Sequence, residues 1–262
     1  MKKFTYYLFA STLLFSSYAI AQETSGVSED NEAPIDFLDL FDSSRTDKKE
    51  VITQTEFLIN FGFNQALGED NGIGEDYRFW GSGYFDFGLE FSTNLSKAVN
   101  TPRLAYGLSL RYSSLRINDD QTFFTQDNVT RLETFKGGEE IEKSIFRQVG
   151  FHAPIHLEFG KREVKEYDDG IKRYGNGSKF VFGIGGYLGY TFTTMQRTEF
   201  DREGRDVTND LINDFEINNF NYGLSVYAGF EDMQLYASYG LNEIFDNSPV
   251  DQRYVTIGIR LR

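Results

Sequence analysis

His152 and His156 are the two histidines of the chain, four residues apart in the stretch Arg147–Gly160, RQVGFHAPIHLEFG. On a helix that spacing puts both imidazoles on one face, a common way to hold a metal. Pro154 lies between them and argues against a helix interior, because it lacks an N–H and clashes with the preceding turn. The stretch alternates instead. Val149, Phe151, Ala153, Ile155, Leu157 and Phe159 are apolar, while Gln148, Gly150, His152, Pro154, His156 and Glu158 are small or polar. Strict period-2 alternation predicts a long strand with both histidines on its polar face. Four residues of strand span about 13 Å at roughly 3.3 Å each, too far for one zinc ion with bonds of about 2 Å unless the side chains converge strongly. A third ligand would have to be Glu158 or Asp86, so the pair gives only a thin metal signal. No metal or cofactor is expected.

The same parity places other charges on polar strand faces: Glu56, Asp86, Glu90, Arg103, Arg111 and Arg260. With His152, His156 and Glu158 they form a candidate charge cluster behind one wall. Buried charges must pair, because an unpartnered one is costly. The plain reading is an ion-pair plug; the sharper one is a gated pore or a proton-sensitive switch built on the histidines. The strand ends set Arg111 level with Asp86, and Glu56, Glu90, Glu158 and Arg260 nearer the end with the short turns. A Ser–His–acid hydrolase needs an accessible hydroxyl beside one histidine. Inward-facing histidines offer no such access, so no catalytic residue is expected. The loop GEDNGIGEDYR carries Glu69, Asp70, Asn71, Glu75 and Asp76, but not in EF-hand order, and reads as an acidic solvated loop.

Eight alternating segments hold these residues: 51–63, 79–93, 103–117, 147–160, 179–193, 218–230, 233–242 and 252–262. In each, one face collects Phe, Leu, Ile, Val and Tyr, as in Leu104, Tyr106, Leu108, Leu110 and Tyr112. The other collects Gly, Ser, Asn, Gln and charges, as in Ala105, Gly107, Ser109, Arg111 and Ser113. Short turns are expected at 96–102 and 231–232, and longer loops at 64–78, 118–143, 195–217 and 243–251. The connection 161–178 is long for a turn.

The start of the chain, MKKFTYYLFASTLLFSSYAIAQ, reads as a signal peptide over 1–21: two lysines, an apolar run too short to span a membrane, and a small-x-small site at Ala19–Ala21. Removing Lys2 and Lys3 from the 26 basic residues leaves 24 against 40 acidic ones, a formal charge of −16. A strongly acidic chain without a basic block is a poor partner for nucleic acid. Cysteine is absent, so no disulfide staples an exported chain. Residues 22–50 read as a flexible acidic lead segment on the periplasmic side, in which 34–38 is the piece suited to dock or form one helical turn. Residues 51–262 read as the barrel domain.

The expected fold is thus all-β: an eight-stranded antiparallel up-and-down transmembrane β-barrel. A soluble lipocalin-like barrel also has eight strands, but it carries its large apolar residues inside. Here the glycine-rich polar face suits a narrow interior, and the apolar face suits lipid. Tyr106, Tyr112, Tyr190 and Tyr222 are candidates for interfacial girdles. In its signal peptide, APIHLEFG, FVFGIGGYLGYTF and closing YVTIGIRLR, the chain resembles the PorT-type outer-membrane β-barrel family of the Bacteroidetes, akin in architecture to OmpA/OmpX-like barrels. It ends on Arg262 where outer-membrane strands usually close on an aromatic. The resemblance implies the outer membrane and no single activity. The expected role is a plugged, non-enzymatic barrel that meets outer-membrane lipid and contacts a protein partner in an envelope complex; a small-solute pore is the alternative.

Overall fold

A computed structural model describes residues 36–41, 50–68, 73–96, 102–135, 140–161, 163–168, 170–175, 180–230, 232–246, 248–249 and 251–262. The signal peptide, the rest of the lead segment, and Glu69, Asp70 and Asn71 of the acidic loop lie outside the described residues, as does most of the turn at 96–102.

The chain is nearly all β. Its strands are β1 (Glu50–Val51), β2 (Thr53–Gly68), β3 (Tyr77–Asn94), β4 (Arg103–Ile117), β5 (Gln121–Gln126), β6 (Val129–Thr134) and β7 (Ile141–Gly160). They continue with β8 (Glu163–Glu166), β9 (Lys172–Gly175), β10 (Phe180–Asp201), β11 (Asp206–Ile212), β12 (Phe220–Phe230), β13 (Met233–Gly240) and β14 (Gln252–Leu261). The large antiparallel sheet runs β10-β12-β13-β14-β2-β3-β4-β7, and β7 pairs back onto β10, so the pairings form a ring. β11 extends β10 as an outer edge. No helix among the described residues is long and apolar enough to cross a membrane.

Alternation divides each strand between two environments. Leu108, Leu110, Phe85, Phe87, Ile184, Leu188 and Leu224 stand exposed on the outer face. Asp86, Glu90, Ser109, His152, His156, Ser225 and Arg260 are buried on the enclosed one. Among large sheets this is the inverse of a water-soluble core, which hides its apolar face.

Several strands exceed the lengths expected from sequence. β7 starts at Ile141 and β10 runs to Asp201. Between Thr191 and Thr193 the β10–β7 register shifts by a bulge. A bulge adds one residue and reverses parity beyond it. The enclosed positions therefore change from Gly189 and Thr191 to Thr194, Gln196 and Thr198. Thr193, expected inside, is exposed for this reason. The apparent loss of alternation after Phe192 is this phase change, so much of the loop expected at 195–217 is strand.

The loop expected at 118–143 folds as the β5–β6 hairpin. It packs inward across the end of the ring that carries the long connections. Phe123 meets Phe146 and Phe245 at ring-centroid distances of 4.9 and 4.8 Å. Tyr77, Leu115, Phe215 and Ile244 complete an apolar core there. Gln196 holds the hairpin from β10: its Oε1 accepts from the Phe123 N–H at 2.7 Å, and its Nε2 donates to the Phe123 C=O at 3.2 Å. Gln196→Ala leaves both backbone groups without a partner in a buried place, which should lower stability by about 1–3 kcal/mol. Hydrogen exchange should then quicken selectively across 121–134, and unchanged protection there would refute this anchoring.

At the opposite end, the long connection after β7 forms the β8–β9 hairpin, and β9 pairs in parallel with β1. Within the lead segment, 36–41 is described, and it overlaps the piece suited to dock or form one helical turn. Asp36 caps a single 3-10 turn, Phe37–Leu40, with a reciprocal bond from Asp39. Its Oδ2 also accepts from the Thr55 N–H at 2.9 Å, docking that turn beside the start of β2.

Candidate functional site

The enclosed face holds two layers of charge. Period-2 geometry explains their spacing, since residues four apart on one strand share a face two steps apart. Asp86 and Glu90 on β3 stand in this relation, as do His152 and His156 on β7.

In the middle layer, Arg111 on β4 lies directly opposite Asp86 on β3. The guanidinium grips the carboxylate with two bonds, Nε to Oδ1 and Nη2 to Oδ2, each 2.7 Å. Such fork-to-fork pairing is the strongest geometry available to an arginine. Asn60 Nδ2 adds a donor to Asp86 at 3.2 Å, and His152 Nδ1 lies 3.9 Å from the same carboxylate. Tyr84 and Tyr187 bracket Arg111, their ring centres 5.2 and 5.6 Å from its Cζ. The His152 ring packs at 4.8 Å on Tyr187.

The lower layer sits nearer the end with the short turns. Glu56, Glu90 and Glu158 meet Arg103, Arg260 and Arg262. Arg103 lies opposite Glu158 in the β4–β7 register and pairs with it. Arg260 pairs with Glu90. Arg262 reaches three acids: Glu158 at 2.5 Å, Glu90 at 2.6 Å and Glu56 at 3.4 Å. Tyr227 is packed into this layer, its ring 4.0 Å from Arg260 Cζ and its hydroxyl donating to Glu158 at 2.7 Å. Among the described residues, three acids stand against three arginines here, with one further pair above, so the charges of these two layers balance. A dry interior demands that balance.

Glycine makes room for the tyrosines. A Cβ on Gly183 would fall 2.1 Å from Cζ of Tyr227, and one on Gly223 would fall 2.6 Å from Cε1 of Tyr187. The bare backbone is the seat of each ring. Between the middle layer and the apolar end remains a small cavity of about 40 Å³, bordered by Asn64, Tyr84, Arg111, Gln148, Tyr187 and Tyr254. That is room for a few waters.

The histidines turn to different layers. His156 Nε2 lies 2.7 Å from Ser225 Oγ, and its ring meets Tyr227 edge-on at 5.0 Å. A serine beside a histidine is two-thirds of a hydrolytic triad. Both are buried, however, and His156 Nδ1 has no hydrogen-bond partner. The orienting acid that a triad requires is missing from that nitrogen. Among the described residues no group of three His, Cys, Asp or Glu has the spacing of a metal site.

All nine candidate residues lie on the enclosed face. Glu56 is the most open of the acids, at 22% side-chain exposure. The nine candidates leave out Arg262 and Asn60, although alternation sets both on polar strand faces, and the inward tyrosines Tyr84, Tyr187, Tyr227 and Tyr236. Parity alone identifies all of them, because each shares the polar face of its segment. No family model matches the chain, and no curated protein matches it.

Proposed function

We propose that the chain is a non-enzymatic integral outer-membrane protein: an eight-stranded up-and-down β-barrel with a plugged lumen, serving a structural or interaction role in the envelope. The observation that carries this reading is the inversion of the two faces. Phe151, Ile155, Leu157 and Phe159 of β7 are exposed while His152, His156 and Glu158 between them are buried. From Phe159 to Val149 the strand covers about 33 Å at roughly 3.3 Å per residue, and a tilt of about 40° reduces this to about 25 Å, the height of an outer-membrane apolar band. Exposed Tyr112, Tyr190 and Tyr222 suit the rims of such a band.

Closure at both ends favours a plug over a conduit. Ion pairs fill the lower half, the β5–β6 hairpin covers the upper end, and eight strands leave an interior just wide enough for side chains. The partner-facing parts would be the docked turn at 36–41 and the far hairpins. Beyond the apolar band, Arg197 on β10 forks onto Asp210 on β11 at 2.6 and 2.7 Å. Those hydrogen bonds hold the Asp210 carboxyl below its ordinary range. The pair is open to solvent, so it shapes the edge strand more than it stabilises it. The likeness to PorT-type barrels belongs to this same reading and rests on the quoted segments.

Fractionation tests the location: the chain should stay with the outer membrane through carbonate washing and change its gel mobility on heating. Leu108 is exposed near the middle of β4, so Leu108→Arg should lower stability in bilayers by about 2–4 kcal/mol, the midplane range for arginine. A mainly soluble pool, or a Leu108→Arg protein as stable as the parent in bilayers, would sink the membrane reading.

A further inference from the structure

We propose that the outer wall carries a binding site for an anionic, phosphate-bearing lipid, with its phosphate on Arg78 and Arg116 and one acyl chain in the trough beneath them. The site rests on the membrane reading above and specifies which lipid chemistry the wall selects.

Its frame is a bulge in β3. Pairing with β4 passes from Arg78↔Arg116 directly to Gly83↔Ser114, and pairing with β2 ends at Phe63↔Gly83. Ser82 bridges the gap from within. Its Oγ donates to the Arg78 C=O at 2.6 Å and accepts from the Arg116 N–H at 2.8 Å. Gly81 has φ +102, a conformation that disfavours any side chain, and a Cβ there would lie 2.8 Å from Cδ of Arg116. The stem of Arg116 therefore lies across the bulge.

This arrangement sets two arginines directly opposite each other just beyond the apolar band. Like charges in that relation repel. Among the described residues neither has a carboxylate within ion-pair distance; Arg78 Nε donates to the Asn118 side chain at 3.0 Å. A phosphate oxygen pair fits guanidinium forks and relieves the repulsion.

Below them the wall is hollowed. Gly83 and Ser114 are small where their neighbours are large, and Phe61, Phe63, Phe85, Tyr112 and Ile259 border an open trough of about 500 Å³. That volume lies within the range of about 300–1,000 Å³ for ligand sites. Phe79 stacks on Phe63 at 4.2 Å, and Trp80, 75% exposed, closes the rim. Free phosphate would satisfy the arginines and leave the trough unfilled; a neutral lipid would do the reverse. Only an anionic amphiphile meets both.

Trp80 is the single tryptophan of the chain and reports the site directly. The full chain, reconstituted in phosphatidylcholine bilayers, would be doped with brominated phosphatidylglycerol or brominated phosphatidylcholine. The anionic lipid should quench Trp80 at a mole fraction at least fivefold lower, the factor for about one arginine's attraction to an anionic lipid. Excess inorganic phosphate should leave that preference in place, and Arg78→Ala/Arg116→Ala should reduce it below about twofold. Equal quenching by both lipids would overturn the site while leaving the membrane reading intact. Loss of preference in free phosphate would overturn the acyl-chain trough. No quenching by either lipid would overturn the membrane reading itself. The parent protein alone decides these outcomes, so the test survives a double variant that does not fold.

Discussion

Arg262→Ala should lower the stability of the folded protein by about 3–5 kcal/mol, the loss expected when one member of a buried ion network is removed. The side chain of Arg262 is 2% exposed, and those of Glu90 and Glu158 are fully buried. Both acids lie within 2.6 Å of its Nη2. Without it, Glu56, Glu90 and Glu158 face only Arg103 and Arg260, leaving one negative charge uncompensated. Arg262→Lys separates charge from geometry. Lysine keeps the charge but offers one donor group where the guanidinium reaches three acids, so it should recover part of the loss. Denaturant titration in bilayers, read by heat-dependent gel mobility, gives the order parent, Arg262→Lys, Arg262→Ala. If Arg262→Ala matches the parent, the lower layer is not an ion network that holds the wall together.

Much of this was legible in the sequence because a strand has a strict period of two. Once Val149–Phe159 is read as alternating, the inward position of His152 and His156 follows, and with it the loss of the helical metal reading. The same parity sends Asp86, Glu90 and Arg260 inward. What escaped has four physical causes. The bulge at Thr191/Thr193 changes the phase, so β10 seems to stop eight residues before it does. The hairpin β5–β6 is short, and its burial comes from contacts with Phe146 and Phe245 far away in sequence. The inward tyrosines were hidden by their chemistry: tyrosine serves a lipid rim as well as a crowded interior, and parity has to decide between them. Arg262 belongs to the polar face of 252–262, but its three partners come from β2, β3 and β7, and no local pattern names them.

The choice between plug and pore turns on Arg111. Its fork on Asp86 joins the neighbouring strands β3 and β4 on the enclosed face at the middle layer, where Asp86 is fully buried. Arg111→Ala leaves that carboxylate with Asn60 and a distant His152, and the loss should again be about 3–5 kcal/mol. Removing both charges is a different experiment. In Arg111→Ala/Asp86→Ala no buried charge is stranded, so the double variant should regain a large part of the stability lost by the single one. A plug predicts this non-additivity together with an electrically silent parent in planar bilayers. The double variant should stay silent too, because the Phe123, Phe146 and Phe245 core still covers one end and the Glu90–Arg260 layer still fills the other. A pore predicts the reverse pattern. Arg111 would then be a selectivity group, its removal would change which ions pass, and stability would barely move. Steady ion-selective currents from the parent, altered by Arg111→Ala at unchanged stability, would make the two charged layers a filter instead of a seal.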